Sequence, residues 1–391
     1  MLPSPPGATR RSIVTHTDRI AWLDVAKATA IVLIVLFHTT DWFLRDVAPG
    51  LNIAGLAPWA VLSTALIPVR IPLFFLVSGV LAARAVERPW RRLAGTRFLD
   101  LLWPFAIWTA LVAPVWMLRS DPADPMALAG TAGAGLVLGG LHYWYLPALV
   151  VCLVVARLVR RHPVAAVVVS GVVAFGLRSL ITPQLAVLGL PVLAANLDRW
   201  MAFGFWFLLG CFARTFVLGF ARLHGAAGIV ALAAFVAVTW WQLGVGVTML
   251  GTTLASLTGV AALVLLSSAA SRWAPVARAG RYLAARTLPI YLVHAFAFEL
   301  LAVLADVVDA QTGWRLPLEY GAVTLIVVPL VVACAVGLST ALFALSGRAG
   351  FRWIFEPPAG LRDRVLRPAA AGPGEATADI EATAGRRRRA N

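Results

Sequence analysis

The strongest constraint in this sequence is a series of ten apolar windows, each long enough to cross the roughly 30 Å hydrocarbon core of a bilayer. The windows cover residues 25–44, 60–83, 99–118, 142–160, 163–180, 200–218, 225–243, 247–270, 287–306 and 319–345. Windows of about 20 residues argue against a transmembrane β-barrel, whose strands alternate over about ten residues. Only 13% of the residues are charged, too few for the surface of a water-soluble domain. The sequence predicts an all-α, polytopic integral membrane helical bundle with about ten transmembrane helices.

The basic residues are spread unevenly over the two sets of loops. Of the 33 lysines and arginines, 26 lie in loops and termini on the side of the N-terminus and five lie on the opposite side. Because cytoplasmic loops carry the Lys/Arg excess, we expect both termini to be cytoplasmic and the protein to lie in the cytoplasmic (plasma) membrane. This orientation accounts for most of the formal charge of +15, so we expect no nucleic-acid partner.

The two ends of the chain differ in composition from the apolar windows. The first twenty residues have no apolar core, and no cleavage site follows, so we expect no cleaved signal peptide. From about residue 357 the chain is rich in Pro, Ala, Gly and charge, which is typical of disorder. We therefore expect a disordered cytoplasmic segment at 1–20, a transmembrane domain at 21–346 and a mostly disordered basic tail at 347–391. The three cysteines all lie inside apolar windows and indicate no disulfide framework and no metal site.

The first window carries the most ionisable side chains. Asp24, Lys27, His38, Asp41 and Arg45 fall within a stripe of roughly 100° on a helix. Each such residue inside a span costs at least roughly 2.5 kcal/mol, so the stripe indicates a polar interior with a function. Lys27 lies near the cytoplasmic interface and His38 about 16 Å further along the axis. His38 can accept a proton from a hydroxyl, with Asp41 fixing its tautomer. Alternatively, His38 only bonds a neighbouring helix and Lys27 reaches lipid headgroups.

The second and ninth windows add further polar side chains. Pro72 is expected to interrupt the backbone hydrogen bonds of the second helix near Arg70. Arg70 can bind a polar acceptor or pair with an aspartate at 41 or 46, whereas Ser78 and Gly79 are typical of close helix packing. Tyr291 and His294 are three residues apart and share a helix face, so His294 can approach the His38 cavity from a second wall. A structural role for His294, bonded across the bundle, remains an equal alternative. Glu299 is expected to pair with a buried base.

Two other patterns each allow two interpretations. Trp144 and Tyr145 at the outer start of the fourth window, and Arg199 at the sixth, fit an aromatic interface belt or a surface for sugar rings. Five arginines between residues 84 and 97 fit an ordinary orientation signal. They also fit a docking surface for the phosphates of a nucleotide-like carrier, since guanidinium groups pair with phosphate in a bidentate manner.

Four motifs, in order, resemble the membrane-bound acyltransferase 3 family. The run from Arg19 to Lys27, followed by ten residues and His38, resembles that family's opening, which reads as a basic residue, ten positions and histidine. Residues 72–79 (PLFFLVSG), 144–149 (WYLPAL) and 288–294 (LPIYLVH) resemble its signatures in the second, fourth and ninth helices. The lysine in place of arginine is similar to the fucose 4-O-acetylase-like branch.

One more motif of that family has a partial counterpart here. Arg88-Pro89-Trp90-Arg91 resembles the family's RxxR in the same cytoplasmic loop. Close to the third window, Asp100 stands where a second arginine would be expected.

The resemblance implies transfer of an acyl group, commonly acetyl from acetyl-CoA, onto a hydroxyl of a cell-envelope carbohydrate or glycolipid. His38 would be the catalytic histidine and Lys27 its basic partner, with acyl-CoA as a donor substrate and no bound cofactor or metal. His38 would act either as a general base on the acceptor hydroxyl or as the first acceptor of the acyl group in a relay across the membrane. The expected sites are catalytic His38, Lys27 and Asp41; acyl-CoA-binding Lys27, Arg88, Arg91, Arg92 and Arg97; and, for the acceptor or cavity, Arg70, Ser78, Trp144, Tyr145, Arg199, Tyr291, His294 and Glu299.

Two alternatives to an enzyme remain at this point. A transporter or flippase of lipid-linked sugars would also use buried charges and aromatic rings. A membrane partner protein would use the polar stripe only to specify helix packing. The expected partners are acyl-CoA, a carbohydrate or glycolipid acceptor and membrane lipid, and the oligomeric state is left open. The enzyme hypothesis requires that the His38 ring be hydrated and reachable from both sides of the membrane.

Overall fold

The structure, a computed structural model, describes residues 20–47, 53–119, 125–138, 141–313 and 321–366. The predicted N-terminal segment, apart from residue 20, and the tail beyond residue 366 lie outside the described residues. Within these ranges every regular element is helical and no strand occurs. The predicted all-α membrane fold is confirmed.

Within the described ranges, eight helices are long and apolar enough to cross a membrane. In window order they are the first (Ala21–Val47), second (Ile67–Val86), third (Trp90–Arg119), fifth (Pro163–Leu185), seventh (Gly225–Val245), eighth (Met249–Ala270), ninth (Thr287–Thr312) and tenth (Gly321–Arg348) spans. The sixth window forms a pair of helices, Pro191–Phe212 and Arg214–Phe220, bent by 87°. The fourth forms Tyr145–Val159, whose fifteen residues extend only about 22 Å. Each predicted window thus corresponds to a helix, but the sixth is sharply bent and the fourth is short.

The second window differs from the prediction in where it breaks. Helix Ile53–Ala65 ends before Leu66, and the second span starts at Ile67, with Pro68 in its first turn. Proline is favoured there because the missing N–H would have no partner inside the helix. Pro72, where the sequence predicted the interruption, lies inside the helix.

Three of the described helices contain a single π-helical turn. These turns are Thr39–Phe43, Ala94–Phe98 and Val173–Leu177. A π-turn holds one extra residue, so it rotates every later side chain by about 100° around the helix axis, and such turns are frequent at functional sites. The first turn directly follows His38, the second contains Arg97, and the third directly precedes Arg178.

The second and sixth spans pack with their backbones in contact. A Cβ atom at Gly79 would collide with the carbonyl oxygen of Phe207, and one at Gly210 would collide with the carbonyl oxygen of Leu76. Small residues allow this approach in membrane bundles, where close packing replaces the hydrophobic driving force. Gly79 therefore has the predicted packing role. Its neighbour Ser78 instead places its hydroxyl 2.9 Å from that of Tyr145.

The chain after the tenth span packs back onto the third. Phe355 is buried between the rings of Trp108 and Phe343. The indole nitrogen of Trp103 donates to the carbonyl oxygen of Trp353 at 2.6 Å. Residues Ala359–Leu366 form a helix. This helix lies in the part of the tail for which the sequence predicts disorder, and its Arg362 forms an ion pair with Asp100 of the third span.

Candidate functional site

Two histidines from different helices meet inside the bundle. His38 ends the α-helical part of the first span, and His294 lies two turns into the ninth. Nδ1 of His38 lies 2.8 Å from Nε2 of His294, and the ring planes are inclined by only 11°. His294 is fully buried, whereas His38 is partly exposed. The predicted approach of His294 to His38 is confirmed.

A backbone carbonyl fixes the tautomer of both rings. Nδ1 of His294 lies 2.6 Å from the carbonyl oxygen of Ile290, one turn earlier on the same helix. A carbonyl only accepts, so His294 donates from Nδ1, and Nε2 of the neutral ring is an acceptor. His38 then donates from Nδ1 to His294, which leaves the lone pair of neutral His38 on Nε2. The tautomer-fixing role predicted for Asp41 thus belongs to His294, because Asp41 is exposed.

Two contacts align the first and ninth spans along their length. Nζ of Lys27 donates to the carbonyl oxygen of Ala284 at 3.4 Å, just before the ninth span begins. Along the first span, Lys27 and His38 are eleven residues apart, which is about 16 Å. On the ninth span, His294 lies seven residues, or about 10 Å, after the first helical residue, Thr287.

An inner cavity of about 190 Å³ opens beside Lys27. It is lined by five of the predicted site residues, namely Lys27, Ser78, Arg97, Tyr145 and Tyr291, and by Asp100. The rings of Tyr291 and His294 are 6.3 Å apart, centroid to centroid. The lining includes Tyr291, which lies about one helical turn before His294, and it includes neither histidine of the pair. The cavity therefore leads from a rim with two cations and one carboxylate toward the imidazoles.

The other predicted arginines of the cytoplasmic loop do not converge on this cavity. Arg88, Arg91 and Arg92 are exposed and lie outside its lining. Nε of Arg91 donates to the carbonyl oxygen of Val365 at 3.2 Å, in the helix that follows the tenth span. The structure thus brings only Arg97 of this set to the cavity that contains Lys27.

A charged cluster lies beyond the histidine pair, toward the other end of the ninth span. Glu299 is 5% exposed, and its carboxylate lies 2.8 Å from Nε2 of His142 and 3.5 Å from Arg119. Arg119 also pairs with Asp46 at 3.0 Å and Asp306 at 3.2 Å. The predicted basic partner of Glu299 is therefore His142, assisted by Arg119. Sequence analysis missed this cluster, although the seven-residue spacing of Glu299 and Asp306, two turns on one face, was a signal.

Arg70 packs beside the histidine pair. It is 5% exposed, donates from Nη1 to the carbonyl oxygen of Ser63 at 2.9 Å, and lies 3.8 Å from the ring centroid of Phe37, the residue before His38. Of the two aspartates predicted as partners of Arg70, Asp46 binds Arg119 instead, whereas Asp41 interacts electrostatically with Arg70. Within the described ranges, no group of three or more His, Cys, Asp and Glu residues could hold a metal ion.

The predicted acceptor residues Trp144 and Arg199 contact each other. The guanidinium of Arg199 lies 5.1 Å from the ring centroid of Trp144, which stacks on Phe203 at 5.7 Å. Arg199 and Phe203 also line an outer cavity of about 530 Å³, where the second, sixth and eighth spans begin and the fifth ends. This end of the bundle is opposite to Lys27. The outer cavity is therefore separate from the inner one.

Fold and site together define a multi-pass membrane protein with a histidine pair in its interior and a cationic cavity leading toward it. A family model described as an acyltransferase domain, Acyl_transf_3, matches residues 20–340, so the chain belongs to the acyltransferase 3 family of membrane acyltransferases. The match confirms the predicted family and supports the predicted class of enzyme, and no finding supports a transporter. The fucose 4-O-acetylase-like branch, the acyl-CoA donor and the carbohydrate acceptor stay predictions.

One curated relative is similar over part of the chain. The inner membrane protein YcfT of Escherichia coli (strain K12) is 25% identical over 156 residues, which cover 36% of this chain and 44% of that protein. The chain therefore spans less than half the length of the relative it matches. No solved structure matches the chain.

Proposed function

We propose that this protein is an O-acyltransferase of the plasma membrane. It moves an acyl group, acetyl in the simplest case, from acyl-CoA on the cytoplasmic side to a hydroxyl of a cell-envelope carbohydrate or glycolipid. The observation that carries the proposal is the chain of hydrogen bonds from Ile290 through His294 to His38. This chain leaves the lone pair of neutral His38 on Nε2, beyond a cavity whose rim carries Lys27 and Arg97.

The donor enters through the inner cavity. The phosphates of acyl-CoA bind at the rim, where Lys27 and Arg97 supply ammonium and guanidinium donors. The pantetheine arm then extends along the cavity past Ser78 and Tyr145 toward Tyr291. This path places the thioester near the level of the histidine pair. The excess of arginines on this side of the bundle supports cytoplasmic entry.

The transfer itself requires one proton acceptor. Nε2 of His38 takes the proton of the acceptor hydroxyl while the oxygen attacks the thioester carbonyl. The carbon–sulfur bond breaks, the ester forms, and the imidazolium returns the proton to the CoA thiolate. His294 accepts the Nδ1–H of His38 throughout, so it holds the ring in the orientation and tautomer that the reaction needs.

Replacement of His38 tests the proposal. We expect His38→Ala to lower acceptor-dependent CoA release in proteoliposomes by about 10²- to 10⁴-fold, the contribution of a positioned general base. His162→Ala removes an exposed histidine in the turn before the fifth span and serves as the matched control, with unchanged turnover. The product is checked by mass spectrometry of envelope glycans and lipids for the added mass of an acyl group. Wild-type turnover by correctly inserted His38→Ala would refute the proposal.

A further inference from the structure

The outer cavity has the size and polarity of a ligand site. Its volume of about 530 Å³ falls within the range of about 300 to 1,000 Å³ typical of small-molecule sites. None of its lining residues also lines the inner cavity. With the orientation indicated by the arginines, the outer cavity faces the extracytoplasmic side. An acceptor that arrives from the cell envelope would meet this cavity first.

An oriented ion pair lies in the wall of the outer cavity. Nη1 of Arg178 donates to both carboxylate oxygens of Asp198, at 2.8 and 2.7 Å. The hydroxyl of Thr182 donates to the carbonyl oxygen of Arg178 at 3.0 Å and lies 3.4 Å from this carboxylate. A carboxylate offers about four acceptor positions, so the two bonds from Arg178 leave capacity for a ligand hydroxyl. Because the pair is neutral as a unit, the wall offers strong donors and acceptors without requiring a highly charged ligand.

Flat apolar rings and side-chain hydroxyls complete the same wall. Phe175, Phe203 and Trp206 line the outer cavity, together with hydroxyl-bearing residues that include Thr252. A pyranose has hydroxyls around its edge and apolar C–H faces above and below. A wall that combines aromatic rings with a few placed polar groups matches both parts of such a ring.

A π-helical turn sets the position of Arg178. In an α-helix the backbone N–H of Arg178 would donate to the carbonyl of Ala174, but here it donates to Val173. Nε of Arg178 donates to the carbonyl oxygen of Ala174 instead, at 2.9 Å. The guanidinium is therefore held between this carbonyl and Asp198. The extra residue in the turn aims Arg178 into the cavity, and turns of this kind are frequent at functional sites.

We propose that the outer cavity binds a neutral pyranose unit of the acceptor, with the sugar hydroxyls bonded to Asp198 and Arg178 and its apolar face against the aromatic rings. The proposal rests on the acyltransferase function above, because it assigns a binding site to the acceptor of that reaction. It also makes a claim about binding that does not require turnover.

The test fills the cavity without altering the proposed catalytic residues. Ser179 lines the outer cavity, so Ser179→Trp would occupy space that the sugar needs. The neighbouring residue Leu180 is 66% exposed and does not line the cavity, so Leu180→Trp is the matched control. Asp198→Asn is a second variant, which removes the charge at nearly constant volume. Size-exclusion elution of each variant in nanodiscs checks that it is folded.

Binding is measured without acyl-CoA, by equilibrium dialysis of radiolabelled methyl glycosides of glucose, galactose, mannose, fucose and N-acetylglucosamine. We expect the wild type and Leu180→Trp to bind at least one of them within twofold of each other. Ser179→Trp and Asp198→Asn should weaken that binding by about tenfold or more, as for the loss of a hydrogen bond to a charged group. In turnover, the same variants should raise the KM for the acceptor and leave the KM for acyl-CoA within about twofold.

The outcomes separate this inference from the proposed function. If no glycoside binds, or if folded Ser179→Trp binds like the wild type, the sugar site is refuted even when acyl transfer that depends on His38 is present. If glycosides bind and Ser179→Trp blocks them but His38→Ala retains full turnover, the sugar site stands and the proposed catalytic function fails.

Discussion

The histidine pair and the arginine-rich loop between the second and third spans satisfy their polar groups in different ways. His38, His294 and Ile290 form a continuous chain of hydrogen bonds, and His294 has no exposed surface. In the loop, by contrast, Arg88 and Arg92 are exposed, and among the loop arginines predicted to bind acyl-CoA only Arg97 reaches the inner cavity. Inside a bilayer a polar group needs a protein partner, whereas at the surface water suffices.

This difference decides which side chains can be assigned a role from their position in the structure. A buried side chain with only one set of hydrogen-bond partners has a defined role, because these partners restrict its tautomer and direction. An exposed arginine can adopt many conformations in water, and its position alone does not distinguish a residue that binds a ligand from one that sets the orientation of the protein in the membrane. The predictions below test this contrast, starting with the deep residue.

The largest effect is expected for His294. His294→Ala removes the acceptor that holds Nδ1 of His38, so the base is present but no longer fixed. We expect kcat to fall by about 100-fold, at the lower end of the contribution of a positioned base, with an unchanged KM for acyl-CoA. His294→Gln, whose amide oxygen can accept the same proton, should recover part of the loss. The measurement is steady-state kinetics in proteoliposomes.

A purely structural His294 would give a different result. Loss of packing would reduce the amount of folded protein and leave the kcat of the folded fraction near that of the wild type. Equal kcat values for His294→Ala and His294→Gln in folded protein would likewise contradict a positioning role.

The same contrast explains how much the sequence could predict. The ten windows and the approach of His294 to His38 followed from apolar length and helical period, because a membrane permits few alternatives. The predicted polar stripe of the first span does not extend past His38, because the π-helical turn Thr39–Phe43 changes the direction of the later side chains, and Asp41 and Arg45 are exposed. The partner of Asp46 and the tautomer of His38 depend on which helices are neighbours, and helix order in the bundle is not encoded in periodicity. The break at Leu66 and the ordered helix Ala359–Leu366 were missed for a related reason, since local turns and tertiary contacts decided them.

A smaller effect is expected at the rim of the inner cavity. Lys27→Met and Arg97→Met each remove one cation that we expect to contact a phosphate of acyl-CoA. The KM for acyl-CoA should rise by about tenfold, with kcat changed by less than about twofold, as for the loss of one charge-assisted hydrogen bond. Initial rates at varied acyl-CoA concentration measure this split.

Arg88→Met is the matched control for the rim, because Arg88 lies in the same loop and is exposed like Arg97, but it is outside the cavity lining. We expect a KM within about twofold of the wild type. A rise equal to that of Arg97→Met would mean that the loop attracts acyl-CoA as a diffuse positive surface. An arginine that lines the cavity would then not differ in function from one that does not. Raising the ionic strength should then abolish the effect of both substitutions.

The smallest effect is expected for Arg362, which lies outside the cavity but contacts its rim. Arg362 donates to Asp100 at 2.5 Å from the helix that follows the tenth span. Its guanidinium therefore lies beside residue 100. The family resemblance leads us to expect a second arginine at that position, where this sequence has aspartate. Both side chains are about 40% exposed (41% and 43%), so the pair itself contributes at most about 1 kcal/mol.

Arg362→Gln leaves the charge of Asp100 uncompensated at the rim where phosphates bind. We expect the KM for acyl-CoA to rise by about threefold, a change of less than 1 kcal/mol, and kcat to stay constant. Asp100→Asn in the same background should restore the wild-type KM, because the repelling charge is then gone. If the double variant keeps the raised KM, Arg362 acts by ordering the loop and not by compensating Asp100.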